Sequence, residues 1–205
     1  MENATYIALS RLDTEQRAMS VVANNIANAS TAGFKAQHVL FSDYLSPQTG
    51  TGTGASDGET ALQYNQDLAT FRDVAQGQFQ QTGNPLDIAI GGEGYFTLQT
   101  ANGTRLTRSG RFVRNTDGSV TDESANPLLD RGGQPVRIPR QDQMVNIASD
   151  GTLSTENGVI GQIGVVIPQD NNKLQADGGK LLVANNTQTR QDTQPKLIQG
   201  MVENS

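Results

Sequence analysis

The chain has 205 residues, a formal net charge of −6, no cysteine and 35% hydrophobic residues. The missing cysteines exclude disulfides, Cys-ligated zinc and thiol catalysis, and the acidic balance without a run of Lys or Arg argues against a nucleic-acid groove. A lean apolar content with 22 glycines indicates a small β-domain with long polar excursions rather than a large compact enzyme.

Residues 3–28 are predicted to form one long helix. Apolar residues recur at helical spacing along one stripe, and the large ones are Leu12, Met19, Val22 and Ile26. Four large apolar side chains are too few to hold a helix of this length together in isolation. The pattern therefore predicts that the helix needs a partner to pack on.

The next segments carry weaker signals. Residues 46–60, SPQTGTGTGASDGET, are typical of a flexible loop, and residues 61–82 indicate extended or irregular structure. The sequence predicts four parts, which are a helix and turn at 1–33, an extended linker at 34–83, a central β-domain at 84–185, and a return segment at 186–205.

From Leu86 onward, short alternating runs are separated by Asn-Gly and Asp-Gly turns. Many short strands at close spacing are typical of a small antiparallel barrel or sandwich. The predicted fold class is therefore mainly β with an N-terminal α-helix, in which the small antiparallel β-domain is joined by extended linker segments.

The chain offers little for catalysis or ligand binding. His38 is the single histidine, so a His-pair metal site is excluded and a surface or interface role is favoured. The glycines of GGEG, 91–94, precede a strand rather than a helix, which favours a tight turn over a phosphate loop. Asp117-Gly118 and Asp150-Gly151 are typical of hairpin turns rather than calcium loops. We predict no catalytic residue, no cofactor and no metal.

Three asparagines, Asn24, Asn25 and Asn28, lie at the end of the predicted helix. Asparagine is favoured at helix C-termini and in turns, which accounts for one of them. Asn24 lies a full turn earlier, where asparagine is a poor helix former. We therefore favour an interface role for these amides over helix capping.

The sequence around these asparagines resembles the signature of the bacterial flagellar rod and hook proteins. Residues 23–37, ANNIANASTAGFKAQ, carry the Ala- and Asn-rich helix end followed by Gly-Phe-Lys, and residues 91–114 are similar to the central β-domain of that family. LSPQTG and LIQGMVENS also fall where the family has them. Within the family, the YIALS start and the short central domain resemble the proximal rod proteins most, with distal rod and hook subunits as alternatives.

The resemblance implies a structural subunit rather than an enzyme. It implies a place in the basal-body rod within the periplasm, other rod proteins as partners, and export through the flagellar type III apparatus. No cleaved signal peptide and no apolar run of about 20 residues is evident, so neither Sec-type export nor direct membrane insertion is expected. The competing classes are a peptidoglycan-acting enzyme and a binding module that uses the β-domain.

The resemblance also assigns roles to individual residues. Terminal helices of the family pack as concentric tubes, and members continue past a motif like GMVENS into a second helix, whereas this sequence ends at Ser205. We therefore expect an exposed apolar stripe on the first helix. The expected subunit-packing residues are Leu12, Met19, Val22, Asn24, Asn25, Ile26, Asn28, Gly33 and Phe34, with Gly33 permitting the turn and Phe34 anchoring the chain.

Overall fold

A computed structural model describes residues 2–29, 31, 33–47, 61–72, 76–178, 180–185 and 187–204. Most of the predicted flexible tract 46–60 therefore lies outside the described residues. The chain divides into two compact units. The helix–hairpin unit comprises residues 1–27 and 36–73, and the β-domain comprises residues 28–35 and 74–205.

The helix–hairpin unit consists of α1 (Glu2–Ala27), β1 (Gln37–Pro47) and β2 (Ala61–Arg72). The two strands pair antiparallel over their whole length, with a register shift at Leu40/Phe41, and α1 lies against both. A two-stranded hairpin is marginally stable alone, so the helix supplies the packing that it needs. The sequence predicts the helix correctly.

The paired strands β1 and β2 lie within the segment 34–83 for which the sequence predicts a linker. Their sequence, ending in ALQYNQDLATFR, is polar and lacks a strict apolar alternation, so the usual strand signal is weak. The structure thus places an antiparallel strand pair in the described part of the predicted linker.

The β-domain is built from short strands joined mainly by turns. Two predicted hairpin turns are confirmed, because Asp117 and Asp150 each accept a hydrogen bond from the backbone N–H two residues on. The strands are β3 (Phe79–Gln81), β4 (Ile88–Ile90), β5 (Tyr95–Thr100), β6 (Gly103–Thr107), β7 (Val113–Arg114), β8 (Val120–Thr121), β9 (Val145–Ile147), β10 (Thr152–Thr155), β11 (Gly158–Gln162), β12 (Val165–Pro168), β13 (Gln175–Ala176), β14 (Leu181–Val183), β15 (Thr189–Gln191), β16 (Leu197–Gln199) and β17 (Met201–Glu203).

These strands form a curled antiparallel half-barrel, which confirms the predicted mainly-β class. The largest sheet has the order β13-β14-β6-β5-β12-β15, and a smaller one has the order β11-β10-β9. Two-stranded pairs β16-β4, β17-β3 and β7-β8 complete the described strand pairing.

The core of the β-domain lies on one face of β5. Phe96 and Leu98 point into the main apolar cluster, where Phe96 packs edge-on against Phe112 with ring centroids 5.3 Å apart. Tyr95, one residue out of phase, belongs to a second cluster on the other face with Leu106 and Val166. Successive side chains of β5 therefore point to opposite faces of the largest sheet, and both faces carry an apolar cluster.

The β-domain extends beyond the predicted bounds 84–185 on both sides. The predicted return segment 186–205 contributes β15, β16 and β17, and β17 pairs with β3, which precedes residue 84. Strands of three residues are too short to show alternation in a sequence, so their pairing follows only from the folded β-domain.

Candidate assembly interface

The large aliphatic side chains of α1 are exposed. Leu12 is 63% exposed, Met19 71% and Ile26 71%, and Leu9 and Val22 are also more than half exposed. Residues 12, 19 and 26 are spaced by seven, so they follow one line along the helix. The expected apolar stripe therefore lies open along the described part of α1.

The opposite face of α1 carries small and polar side chains. Thr14 is buried, and Ser10, Ala18, Val21 and Asn25 are partly buried at spacings of three and four. The Thr14 hydroxyl donates to the Ser10 carbonyl at 2.6 Å, which satisfies it within the helix. A globular surface helix normally buries its large apolar side chains, and α1 has the reverse arrangement.

Asn25 makes its hydrogen bonds within its own chain. Its Nδ2 donates to the Gln37 carbonyl at 2.8 Å, and its Oδ1 accepts from the Gln37 N–H at 3.0 Å. The side-chain amide thus pairs with the backbone at the first residue of β1, as a neighbouring strand does. Asn25 therefore has a role within its own chain, and the subunit contact expected of it stays a prediction.

The other two asparagines have different surroundings. Asn24 is exposed on α1, while Asn28 is partly buried and its carbonyl accepts from the Thr31 N–H at 2.9 Å. Asn28 therefore belongs to the turn that follows the helix, as one expects for an asparagine near a helix C-terminus.

Gly33 lies where no other residue fits. Its φ is +71°, in the left-handed region, and a Cβ there would stand 2.3 Å from the backbone nitrogen of Ser109. Its N–H donates to the Glu203 carbonyl at 2.8 Å. The expected turn role of Gly33 is thus joined by close packing against the β-domain backbone.

Phe34 follows Gly33 and is buried, with 7% of its surface exposed. Its N–H donates to the Thr31 carbonyl at 3.2 Å. Burial of an aromatic ring here contributes about 2–3 kcal/mol to the free energy of folding. Phe34 is thus a buried residue of the β-domain unit, and its expected role as an anchor stays a prediction.

Glu203, at the end of β17, is the centre of a buried charged cluster. Its Oε1 accepts from the Lys35 ammonium at 2.5 Å and from the Gly77 N–H at 2.8 Å, and its Oε2 accepts from Arg108 Nε at 2.7 Å. The side chains of Glu203, Arg108 and Lys35 are 1%, 6% and 9% exposed. Every carboxylate oxygen is thus matched by donors, as a buried charge requires.

The environment of Glu203 sets its ionisation. Burial raises the pKa of this carboxyl. The hydrogen bonds from Lys35 and the Gly77 N–H and the charge of Arg108 lower the pKa by more than burial raises it, so the pKa lies below its ordinary value of 4.5. Glu203 is therefore a carboxylate at neutral pH.

Arg108 connects this cluster to the glycine-rich turn between β4 and β5. Its guanidinium also donates to the carbonyls of Ile90, Gly92 and Gly94. As predicted, GGEG leads into a strand rather than a helix, and the carbonyls of Gly92 and Gly94 accept hydrogen bonds from the Arg108 guanidinium.

Sequence reasoning missed Arg108 and Glu203. Glu203 directly follows the fully buried Val202, but adjacent strand residues face opposite sides, so this neighbour does not predict that Glu203 is buried. Charged side chains are almost never buried unless they are paired, and the sequence does not show which distant residue pairs with which.

Other candidate sites are weak. His38 lies on β1 with an exposed side chain. A cavity of about 280 Å³ in the β-domain is lined by Thr107, Ser109, Arg111, Asp122, Glu123, Ser124, Gly178, Lys180 and Leu181. No aromatic ring occurs in that lining, and Glu123 is already paired with Lys180 at 2.5 Å. Across the described residues, no three potential metal ligands cluster, and no helix has the length and apolarity to cross a membrane.

Comparison with known families matches both parts of the chain. Residues 6–35 match the family described as flagella basal body rod protein, and residues 89–155 match the flagellar hook protein FlgE/F/G D1 domain. The first match covers α1 from Tyr6 onward and the Gly33–Lys35 segment, and the second covers the centre of the β-domain.

Relatives align over most of the chain. The flagellar basal-body rod protein FlgF of Caulobacter vibrioides is 35% identical, covering 100% of this chain and 82% of its own length. The rod protein FlgG of Bacillus subtilis is 32% identical, and the alignment covers 88% of this chain and 73% of that protein. FlgF of Salmonella typhimurium is 28% identical, and the alignment covers 100% of this chain and 83% of that protein. The chain therefore belongs to the flagellar basal-body rod protein family and is a structural subunit of the rod.

Proposed function

We propose that the exposed stripe of α1, formed by Leu9, Leu12, Met19, Val22 and Ile26, is the surface by which this subunit packs on helices of neighbouring rod subunits. The observation that carries the proposal is the reversed arrangement of α1, with large aliphatic side chains outside and small ones inside. A contiguous exposed apolar patch on a folded chain marks an interaction surface.

The stripe meets a different surface on its neighbour. A contact between two different patches is heterologous, and its repetition with a rise builds an open helical tube rather than a closed dimer. This subunit takes an FlgF-type place in the rod, in the periplasm, with other rod proteins as neighbours. It is exported by the flagellar type III apparatus without a cleaved signal.

A matched pair of charge substitutions tests the role of the stripe. Met19→Asp introduces a carboxylate on the stripe, whereas Ser20→Asp introduces the same charge one residue on, on the face that already carries Asp13. Both positions are exposed, so the unfolding midpoint of the chain changes little in either variant. We expect Met19→Asp to abolish incorporation into basal bodies and swimming, and Ser20→Asp to preserve both.

The measurement is the amount of each variant in purified basal bodies, with motility in soft agar beside it. Equal incorporation of the two variants would contradict packing through the stripe. If neither variant is incorporated, assembly is sensitive to an added charge anywhere on the helix rather than on this surface.

A further inference from the structure

The tripeptide Gly33–Phe34–Lys35 is held by residues at the opposite end of the chain. Lys35 and Glu203 are separated by 168 residues and form a direct ion pair, and the Gly33 N–H donates to the backbone carbonyl of the same Glu203. Glu203 thus binds the tripeptide through both its side chain and its main chain.

Glu203 also collects contacts from the middle of the chain. The Gly77 N–H and Arg108 Nε both donate to its carboxylate. Its neighbours are fixed by the same arrangement, because Asn204 N–H donates to the Gln78 carbonyl and β17 pairs with β3. One carboxylate therefore joins four separate stretches of the β-domain.

The tripeptide packs closely against the backbone of the β-domain. A Cβ at Gly33 would overlap the backbone at Arg108 and Ser109, and one at Gly77 would stand 1.8 Å from the Asn204 carbonyl oxygen. Close backbone approach on both sides of Glu203 leaves the carboxylate little freedom to move. Such a site is either fully formed or open, because packed interiors do not deform continuously.

We propose that Glu203 is a positioning residue for rod assembly, which locks the Gly33–Phe34–Lys35 tripeptide onto the β-domain only when strand β17 is in place. The tripeptide belongs to the β-domain unit, and it directly follows in the chain the turn at the end of α1. A subunit whose β17 has not folded leaves Phe34 and Lys35 undocked. This inference rests on the proposed packing role of α1.

The consequence is an order of events. The tripeptide lies near the start of the chain, but its docking site forms only after residue 203 is present and β17 has paired. Docking therefore reports that the β-domain has closed. An incompletely folded chain has an undocked tripeptide and so differs from its folded copies, whereas a repeating tube is built from identical subunits.

The test uses Lys35→Gln, because Lys35 lies at the edge of the cluster and its loss leaves the Glu203–Arg108 pair intact. The matched control is Lys173→Gln, which removes an exposed lysine that is 3.8 Å from Asp170 in the same domain. Lys35→Arg keeps the charge. Hydrogen exchange at the Gly33 amide reports docking, and the abundance of the subunit in basal bodies reports assembly.

We expect Gly33 exchange to rise by roughly tenfold to a hundredfold in Lys35→Gln, the change that follows from loss of a hydrogen bond to a charged group. Exchange in β5 and β12 stays as in the wild type, and incorporation falls. Lys35→Arg restores protection and incorporation, and Lys173→Gln changes neither. A merely structural role for Lys35 would lower protection throughout the β-domain instead.

Besides a loss of protection throughout the β-domain, two results would overturn the inference. Unchanged Gly33 protection in Lys35→Gln means that the ion pair does not hold the tripeptide. Raised exchange with normal incorporation means that docking is dispensable for assembly. Either result leaves the stripe untouched, because packing through α1 is measured separately with Met19→Asp and Ser20→Asp.

Discussion

Two constraints require glycine at position 33, and an experiment can measure each of them separately. Its φ of +71° favours glycine in any protein, and its approach to the Arg108–Ser109 backbone excludes even a methyl group. Most turn glycines are explained by the first constraint alone. The second identifies Gly33 as a contact point of the β-domain.

Gly83 provides the matched comparison, because its φ is +74° and a Cβ there meets nothing within 4 Å. We expect Gly83→Ala to lower the free energy of unfolding by about 1 kcal/mol. Gly33→Ala adds a backbone overlap and costs about 2–5 kcal/mol. Urea denaturation followed by circular dichroism measures both, and equal losses would show that the close approach relaxes at no cost.

At the scale of elements, α1 and β1 are joined by the amide of Asn25. A side chain that both donates to and accepts from one backbone residue occupies the place of a neighbouring strand at the start of β1. Of the three asparagines for which the sequence favours an interface, this one serves the fold of its own unit.

Asn25→Ala removes both hydrogen bonds at Gln37. Two such bonds contribute about 1–3 kcal/mol, so we expect amide exchange at Gln37 to rise by about tenfold or more while α1 retains its helicity. Asn24→Ala, at an exposed neighbouring position, is the comparison. If exchange at Gln37 is unaffected by Asn25→Ala, the amide pairing is not what holds the start of β1.

At the scale of the whole molecule, the most concentrated electrostatic interaction lies at Glu203. Breaking a buried pair by removing one partner costs about 3–5 kcal/mol, because the remaining charges stay desolvated. The exposed pair of Glu123 and Lys180 has a similar separation, and its loss costs at most about 1 kcal/mol. Glu203→Gln is therefore expected to destabilise the β-domain far more than Glu123→Gln.

The Glu203 cluster also predicts an acid response. The folded-state pKa of Glu203 lies below its ordinary value of 4.5, so its stabilising contribution is complete above that value and is lost as the pH falls through the lowered folded pKa. As the pH falls below 4.5, the unfolding midpoint of the wild type should fall more steeply than that of Glu203→Gln. Parallel profiles for the two proteins would show that Glu203 does not titrate with folding.

The sequence predicts those parts of the molecule that follow from local pattern. The periodicity of Leu12, Met19 and Ile26 predicts the helix, and the Asp-Gly turns predict the antiparallel β-domain. The resemblance to the rod and hook proteins predicts an exposed stripe, and the described side chains of the stripe are exposed.

The missed features all depend on long-range pairing. The β1–β2 hairpin joins polar strands, and the three-residue strands β16 and β17 have no periodicity to detect. Lys35 and Glu203 are unremarkable charges until the fold brings them to 2.5 Å. Contacts between residues far apart in the chain are set by tertiary packing, so a reading of local sequence does not find them.

The central claim is that the α1 stripe faces other rod subunits, and a photoreactive residue at position 26 tests it most directly. Ile26 is 71% exposed, so the probe leaves the fold unperturbed, and a probe at exposed Ser20 serves as the comparison. In purified basal bodies we expect strong cross-links from position 26 to rod subunits and weaker ones from position 20. Efficient incorporation without cross-links from position 26 would contradict the account.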